Sequence, residues 1–370
     1  MGENMENVIE VDRRAVTNSR VASYVEAPLT EGEVRFAVER FALTTNNITY
    51  AVFGDGMRYW DFFPVPEAPE SWGRVPVWGF ARAVESRCGS VPVGTRVYGY
   101  LPMSTTLVMT PGRVDASGFI DTAAHRQPMA TAYNRYTNAT HDSAAVAALD
   151  DHRMVLWPLF MTSFMIDDFV GAGSDTAPEF FGASVGVISS ASSKTSIAAA
   201  HLMKLRAGVT VVGLTSGSNA AFVESLGCYD RVVAYGEESS LPPGPAVYVD
   251  IAGNRAVTQA VHARYGGDLT LSLIVGGTHW NNEDAVGPGG MVGPKPEFFF
   301  APSQIARRTK EWGRDGLEAR VDAAWRRFAT WSDGWLSYRE SVGPEAVKAL
   351  YDTMVTGVVD PRVGHICRMV

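Results

Sequence analysis

The sequence predicts an α/β chain of two domains, one β-rich and one built on a doubly wound parallel sheet. Three observations carry this reading. Short apolar runs broken by Gly and Pro fill residues 34–102. Strand and helix patterns alternate from about residue 185 to 275, the rhythm of a parallel sheet with crossover helices. A chain of 370 residues also exceeds what one ordinary core holds.

In chain order, VRFAVERFALT (34–44) alternates as a strand does, and RVPVWGFARAVES (74–86) is strand-like. VPVGTRVYGYLP (91–102) places a Gly-containing turn before a further strand. Such strands suit a small barrel or a strongly curved sheet. The small, acidic stretch 142–151 reads as a linker. WPLFMTSFMIDDFV (157–170) is apolar on most faces and reads as a buried helix. Strands follow at SVGVISS, VTVVGLTS, RVVAYG, PAVYVDIAG and LTLSLIVGG, with helices at TSIAAAHLMKLRA, NAAFVESLGC and AVTQAVHARYG. Residues 302–331 form a long amphipathic helix and residues 345–357 a second one, and GHICRMV (364–370) is a closing strand.

Charge and cysteine usage narrow the function classes. A formal net charge of -8 and the absence of a basic run oppose general nucleic-acid binding. Cys88, Cys228 and Cys367 are far apart and odd in number, which fits reduced thiols and no disulfide or zinc framework. The N-terminal stretch is polar and acidic, without a secretory core. No run reaches the ~20 apolar residues of a membrane helix. A cytoplasmic location is the expectation.

The stretch SSASSKTS (189–196) occupies the first strand-to-helix turn, where a doubly wound fold meets phosphate. Glycine normally lets backbone N–H groups approach the ligand there. Here Ser190, Ser193 and Ser196 stand in the expected glycine positions. Ser190, Ser192, Ser193, Lys194 and Thr195 supply hydroxyls and a cation at a helix N-terminus, whose dipole favours anions. A competing reading is that the serines only cap the helix, with Ser193 as N-cap. A P-loop is disfavoured, because Ile188 and Ser193 replace its two glycines. The next strand ends at Thr215, Ser216, Ser218 and Asn219 without a carboxylate. Asp or Glu there grips the ribose 2′-hydroxyl of NAD and repels a 2′-phosphate, so hydroxyls and an amide favour NADP. An ordinary polar loop is the alternative.

Several stretches, in order, resemble the medium-chain dehydrogenase/reductase superfamily in its zinc-free quinone- and enoyl-reductase branch. SSASSKTSIAAAHLMK is similar to that family's GASGGVGSAAIQLAK, ESLGCYDRVVAY to ELGADxVIDY, and YVDIAGN to VIDxVGG. VPVWGFARAVES with VPVGTRVYGY resembles the strand–turn–strand carrying VGDRV, and GHICRM resembles GKIVL. FALTTNNITYAVFG is similar to the early substrate-domain segment, and LIVGG to the strand that reaches the nicotinamide. The resemblance implies a GroES-like β-barrel substrate domain over residues 1–155 and a Rossmann cofactor domain over 156–315. Residues 316–370 would return to the barrel. FGDGMRYWDFFP, YNRYTN and the serine loop mark a divergent subfamily. Gly79, Phe80 and Ala81 stand where zinc-dependent relatives carry GHE, so metal-based alcohol chemistry is not expected.

The resemblance implies NADPH as hydride carrier, leaving the protein to stabilise charge on an oxygen and deliver a proton. The candidate catalytic groups are Asn46, Tyr50, Tyr59 and His279; Asn47, Arg58 and Trp60 in the same early stretches and Tyr133, Asn134, Arg135 and Tyr136 in the separate stretch YNRY are further suitable groups. Gly276 and Thr278, after the strand facing the nicotinamide, join the candidate cofactor residues. Tyr59, Trp60, Phe62 and Phe63 have a competing role as core, and His279 as a partner of a loop carbonyl. The implied reaction is NADPH-dependent reduction of an activated alkene, quinone or carbonyl on a small apolar substrate. A non-redox lyase or isomerase, or an inactive binding protein, are the alternatives. PEFFFAP (296–302) falls where such folds pair sheets across a homodimer, and its apolar character suits a covered edge.

Overall fold

The structure, a computed structural model, describes residues 4–67, 70–172, 178–275, 291–357 and 359–370. The chain forms two compact units. Unit 1 comprises Met1–Pro158 and Leu336–Val370, and unit 2 comprises Leu159–Trp335.

Unit 1 is the β-rich one. Its large sheet has nine strands, and Val34–Leu43 is the one that pairs with three others. That strand pairs antiparallel with Pro76–Ser86 on one side. On its other side it pairs with Thr106–Met109 along its first half and with Val363–Arg368 along its second. Residues late in the chain therefore complete a sheet begun early. Its backbone pairs along both edges, and Val34, Phe36, Phe41 and Leu43 of this strand are all fully buried. A three-stranded sheet of Ala15–Val25, Met5–Asp12 and Trp72–Gly73 adds to the unit. Gly99 is required by close approach: a Cβ there would stand 2.4 Å from the Tyr136 ring.

Unit 2 carries a six-stranded parallel sheet in the order Arg231–Ala234, Thr210–Thr215, Val185–Ile188, Ala246–Asp250, Leu269–Ile274, Glu297–Phe298. The chain starts mid-sheet, moves outward one way, then crosses to the other side, so strand order reverses between Val185–Ile188 and Ala246–Asp250. Ligands of such sheets bind outside the strand C-termini at that reversal. The three central strands, Thr210–Thr215, Val185–Ile188 and Ala246–Asp250, are buried almost throughout, which is why they read as continuous apolar runs. Helix Arg255–Tyr265 shows how local sequence sets the ends. The Asn254 side chain accepts from the N–H groups of Ala256 and Val257, and Gly266 closes the helix at φ 53.

Two expectations need correction. Residues 142–151 are not a linker, because Ala144–Ala147 is helical and a helix runs from Asp150 to Ala172. Asp142 and Asp150, whose acidity suggested a solvated tether, instead pair with Arg153 and Arg96. The change of unit falls at Pro158, within that helix. It is also the described helix long and apolar enough to cross a membrane by length and composition, with half of its most apolar window buried. Residue 316 lies inside helix Ala301–Ser332, and the chain rejoins unit 1 at Leu336. That helix breaks at Gly313, φ 71 and ψ 165.

Candidate active and cofactor sites

The serine loop sits at the strand reversal of unit 2. Ser189 ends the strand fully buried, and its hydroxyl donates to Asp250 at 2.8 Å. The same oxygen accepts the N–H groups of Ile251 and Ala252. Asp250 also takes hydrogen bonds from Thr258 and the Gly253 N–H. Burial pushes its carboxyl above the usual range, against the pull of these donors. Ser190 adopts a left-handed φ of 51, a conformation normally given to glycine. Its N–H donates to the Tyr235 hydroxyl at 2.8 Å.

Ser193 is the N-cap of helix Lys194–Met203. Its hydroxyl accepts from the Ser196 N–H and donates to the Ser196 hydroxyl at 2.9 Å, and that hydroxyl donates to the Ser189 carbonyl. Ser192 accepts from Asn219 at 3.1 Å, which ties the loop to the end of the next strand. Capping therefore accounts for Ser193 and Ser196 but not for Ser190 or Ser192. Lys194 and Thr195 occupy the first helical turn and are partly exposed. Ser216 and Ser218 share a hydrogen bond at 3.0 Å on the neighbouring rim. Thr215, at the end of strand Thr210–Thr215, is buried, and its carbonyl accepts from the Tyr235 N–H. Gly276, Thr278 and His279 lie outside the described residues.

Unit 1 gathers four phenols. Tyr50 comes from helix Thr45–Val52 and Tyr59 from the 3-10 turn Tyr59–Phe62. Tyr100 lies on strand Arg96–Pro102 and Tyr133 in the short helix Thr131–Asn134. Ring centroids are 4.6 Å apart for Tyr50 and Tyr59, and 4.9 Å for Tyr100 and Tyr133. The hydroxyls of Tyr59 and Tyr133 face each other at 3.4 Å. The Trp78 indole N–H points to the Tyr50 hydroxyl at 3.5 Å, and Asn46 lies beside the same hydroxyl. Burial drives all four phenols well above their ordinary value, and neighbouring tyrosines add to the effect. Each stays neutral around pH 7, and a neutral phenol carries one O–H able to donate a hydrogen bond.

Sequence reasoning named Asn46, Tyr50, Tyr59 and Tyr133 as candidates from separate stretches but not Tyr100 or Trp78. Tyr133 and Trp78 are the partly exposed members, whereas Tyr50, Tyr59 and Tyr100 are buried. Phe80, where zinc-dependent relatives carry a ligand, is fully buried beneath the Arg96 guanidinium. Among the described residues, no three His, Cys, Asp or Glu side chains stand together as a metal's ligand set.

Comparison with known proteins supports the fold independently. A family profile described as "Protein of unknown function (DUF2855)" matches residues 41–360. No curated protein is matched. Among solved structures, CurA from Vibrio vulnificus in complex with NADPH is 12% identical, covering 98% of this chain and 99% of that one, with a TM-score of 0.63. A structure described as a putative NADPH:quinone reductase from Mesorhizobium loti is 12% identical over 100% and 99% of the two chains, with a TM-score of 0.62. A mutant enoyl thioester reductase from Candida tropicalis is 11% identical over 99% and 100%, with a TM-score of 0.56. At these identities the likeness establishes architecture. The β-rich unit and the doubly wound unit together form the two-domain fold of the enoyl and quinone reductases, as the sequence resemblance implied.

Proposed function

The chain belongs to the DUF2855 family of proteins of unknown function, and from that premise we propose that it is an NADPH-dependent reductase of a small, flat, neutral alkene, quinone or carbonyl. One observation carries the reading. The turn at the strand reversal keeps a left-handed residue and a capped helix N-terminus although its glycines are gone. Lys194 and Thr195 on the first helical turn would hold pyrophosphate, where the helix dipole favours anions. Ser216 and Ser218 would meet a 2′-phosphate, on a rim free of carboxylates between Thr215 and Asn219. The nearby carboxylate, Asp250, is buried and hydrogen-bonded away from that rim. The NADPH-bound relative is consistent with this fit.

When bound, NADPH supplies the hydride. The chain's own contribution would lie with the phenols. A phenol held above its ordinary pKa resists ionisation, so it stabilises a developing oxyanion by donating a hydrogen bond. Tyr133, partly exposed and backed by Tyr59, is the better placed donor. Trp78 offers a flat apolar wall beside it, with ring centroids 6.2 Å apart.

Nicotinamide fluorescence titrations with NADPH and NADH test the cofactor. NADPH should bind tighter than NADH, and Lys194→Ala should weaken it by about tenfold, the worth of one charge-assisted phosphate contact. Binding of neither dinucleotide would sink the proposal. It would favour a second reading, a ligand-binding protein whose serine loop is purely structural. The engagement of Ser190 by Tyr235 and of Ser192 by Asn219 supports that reading.

A homodimer formed along the sheet edge at Glu297–Phe298 is also proposed. Phe298 is 43% exposed there and stacks on Phe300. Phe298→Lys should yield monomers in a molar-mass measurement if two copies pair through this edge.

A further inference from the structure

Arg126 is one of the most deeply buried side chains in the molecule, 1% exposed, at the end of the 3-10 turn Ala124–Arg126. Its guanidinium spends four donor contacts on groups around the phenols. Nη1 donates to the Phe62 carbonyl at 3.2 Å, and Phe62 closes the turn that carries Tyr59. Nη2 donates to the Tyr133 carbonyl at 3.2 Å and to the Tyr136 hydroxyl at 2.9 Å. Nε donates to Asn134, whose amide returns a bond to the Arg126 carbonyl. The Tyr136 hydroxyl then donates to the Tyr100 carbonyl at 2.5 Å. One side chain thus fastens the backbones of the Tyr59 and Tyr133 segments, and through Tyr136 that of Tyr100.

The ion pair alone does not account for this arrangement. Asp121, the nearest counter-charge, stands 3.8 Å away, and a buried ion pair is commonly matched or bettered by apolar side chains of the same volume. The rings of Phe62, Phe63 and Tyr136 surround the guanidinium carbon at 4.9–5.9 Å, so charge pairing contributes little and the residue's main engagement is with the acceptors on Phe62, Tyr133, Asn134 and Tyr136. What the fork adds is geometry, because a planar guanidinium reaches several acceptors in fixed directions. We propose that Arg126 is a positioning residue that holds the hydroxyls of Tyr59 and Tyr133 in register. The inference rests on the reading of those phenols as the donor pair.

The test uses the full chain with Arg126→Lys, which keeps the charge but loses the fork, and Tyr136→Phe, which removes one arm only. Three readouts are taken: thermal midpoint, NADPH affinity, and turnover of 1,4-naphthoquinone with NADPH. Tyrosine ionisation is followed by ultraviolet absorbance, with Tyr133→Phe as the reference that identifies the Tyr133 signal. The expected result is a kcat lowered by about tenfold to a hundredfold, the cost of roughly 1 Å of misplacement, with NADPH affinity unchanged. Tyr133 should ionise at lower pH in both variants than in the wild type. Unchanged kcat and unchanged Tyr133 ionisation in a folded Arg126→Lys protein would overturn the proposal. If Arg126→Lys does not fold, the same two outcomes are read from Tyr136→Phe. A wild type that binds no dinucleotide and turns nothing over defeats the reductase reading, while the Tyr133 ionisation still decides the role of Arg126.

Discussion

The Tyr235 hydroxyl accepts the backbone N–H of Ser190 at 2.8 Å, at the point where the serine loop turns left-handed. A non-glycine residue in that conformation costs roughly 1–2 kcal/mol. Part of this is offset because glycine loses ~0.5–1 kcal/mol more backbone entropy on folding. Ser190→Gly is therefore expected to stabilise the protein by up to ~1 kcal/mol, whereas Ser190→Val should destabilise it. Urea denaturation distinguishes the two signs, and a loss of stability in Ser190→Gly would mean the serine side chain has a role of its own.

Ser189 offers a sharper case. Removing its hydroxyl strips one donor from the buried Asp250 carboxylate and one acceptor from the N–H groups of Ile251 and Ala252. Ser189→Ala should cost about 2–3 kcal/mol, the range for leaving buried polar groups unmatched. A change below about 0.5 kcal/mol in the same denaturation assay, the range of an ordinary surface substitution, would contradict the described network.

Acid should weaken the fold through its histidines. His125, His201 and His262 all have pKa values held below the ordinary 6.5, with burial the leading cause. His262 bonds the Val292 carbonyl through Nδ1 and Ser272 through Nε2. The unfolded chain then binds more protons than the folded one below pH 6.5. This stability is present above pH 6.5 and is lost as pH falls toward the lowered values. Carboxyls with raised values, Asp250 among them, act with the opposite sign but upward from an ordinary 3.8. Thermal midpoints from pH 7.5 to 5.5 should decline, and His262→Gln should decline less steeply. Parallel curves for the two proteins would refute the assignment.

Gly99→Ala tests the packing beneath the phenols. The new methyl would stand 2.4 Å from Cδ1 of Tyr136, so the ring must move. Overpacking of this kind costs about 1–3 kcal/mol. The near-ultraviolet circular dichroism of the aromatic cluster should change with it, and an unaltered spectrum at wild-type stability would count against the described geometry.

The doubly wound unit was legible in the sequence because its strands are buried on both faces, so Val185–Ile188 and Ala246–Asp250 stand out as apolar runs between helical periods. The cap at Ser193 was equally local. Ser190 was recognised as a glycine replacement, but its left-handed backbone and its bond to Tyr235 depend on a residue in another strand turn. Arg126 left no sequence signal at all. An arginine is usually exposed, and only contacts with Phe62, Tyr133 and Tyr136 give this one its place. The return to unit 1 lies at Leu336, past the end of helix Ala301–Ser332.

Strand Val363–Arg368 lies between Val34–Leu43 and Ser337–Val342, so unit 1 is threaded from two distant parts of the chain. During synthesis the whole of unit 2 leaves the ribosome before that strand does, and contiguous domains close as they emerge. Until residues 363–368 follow, half of one flank of Val34–Leu43 is an uncovered sheet edge on a nascent chain. A chain released after truncation anywhere between residues 335 and 363 therefore carries a finished parallel-sheet unit attached to an adhesive, half-built one. The quality of the product is decided by its latest-made strand.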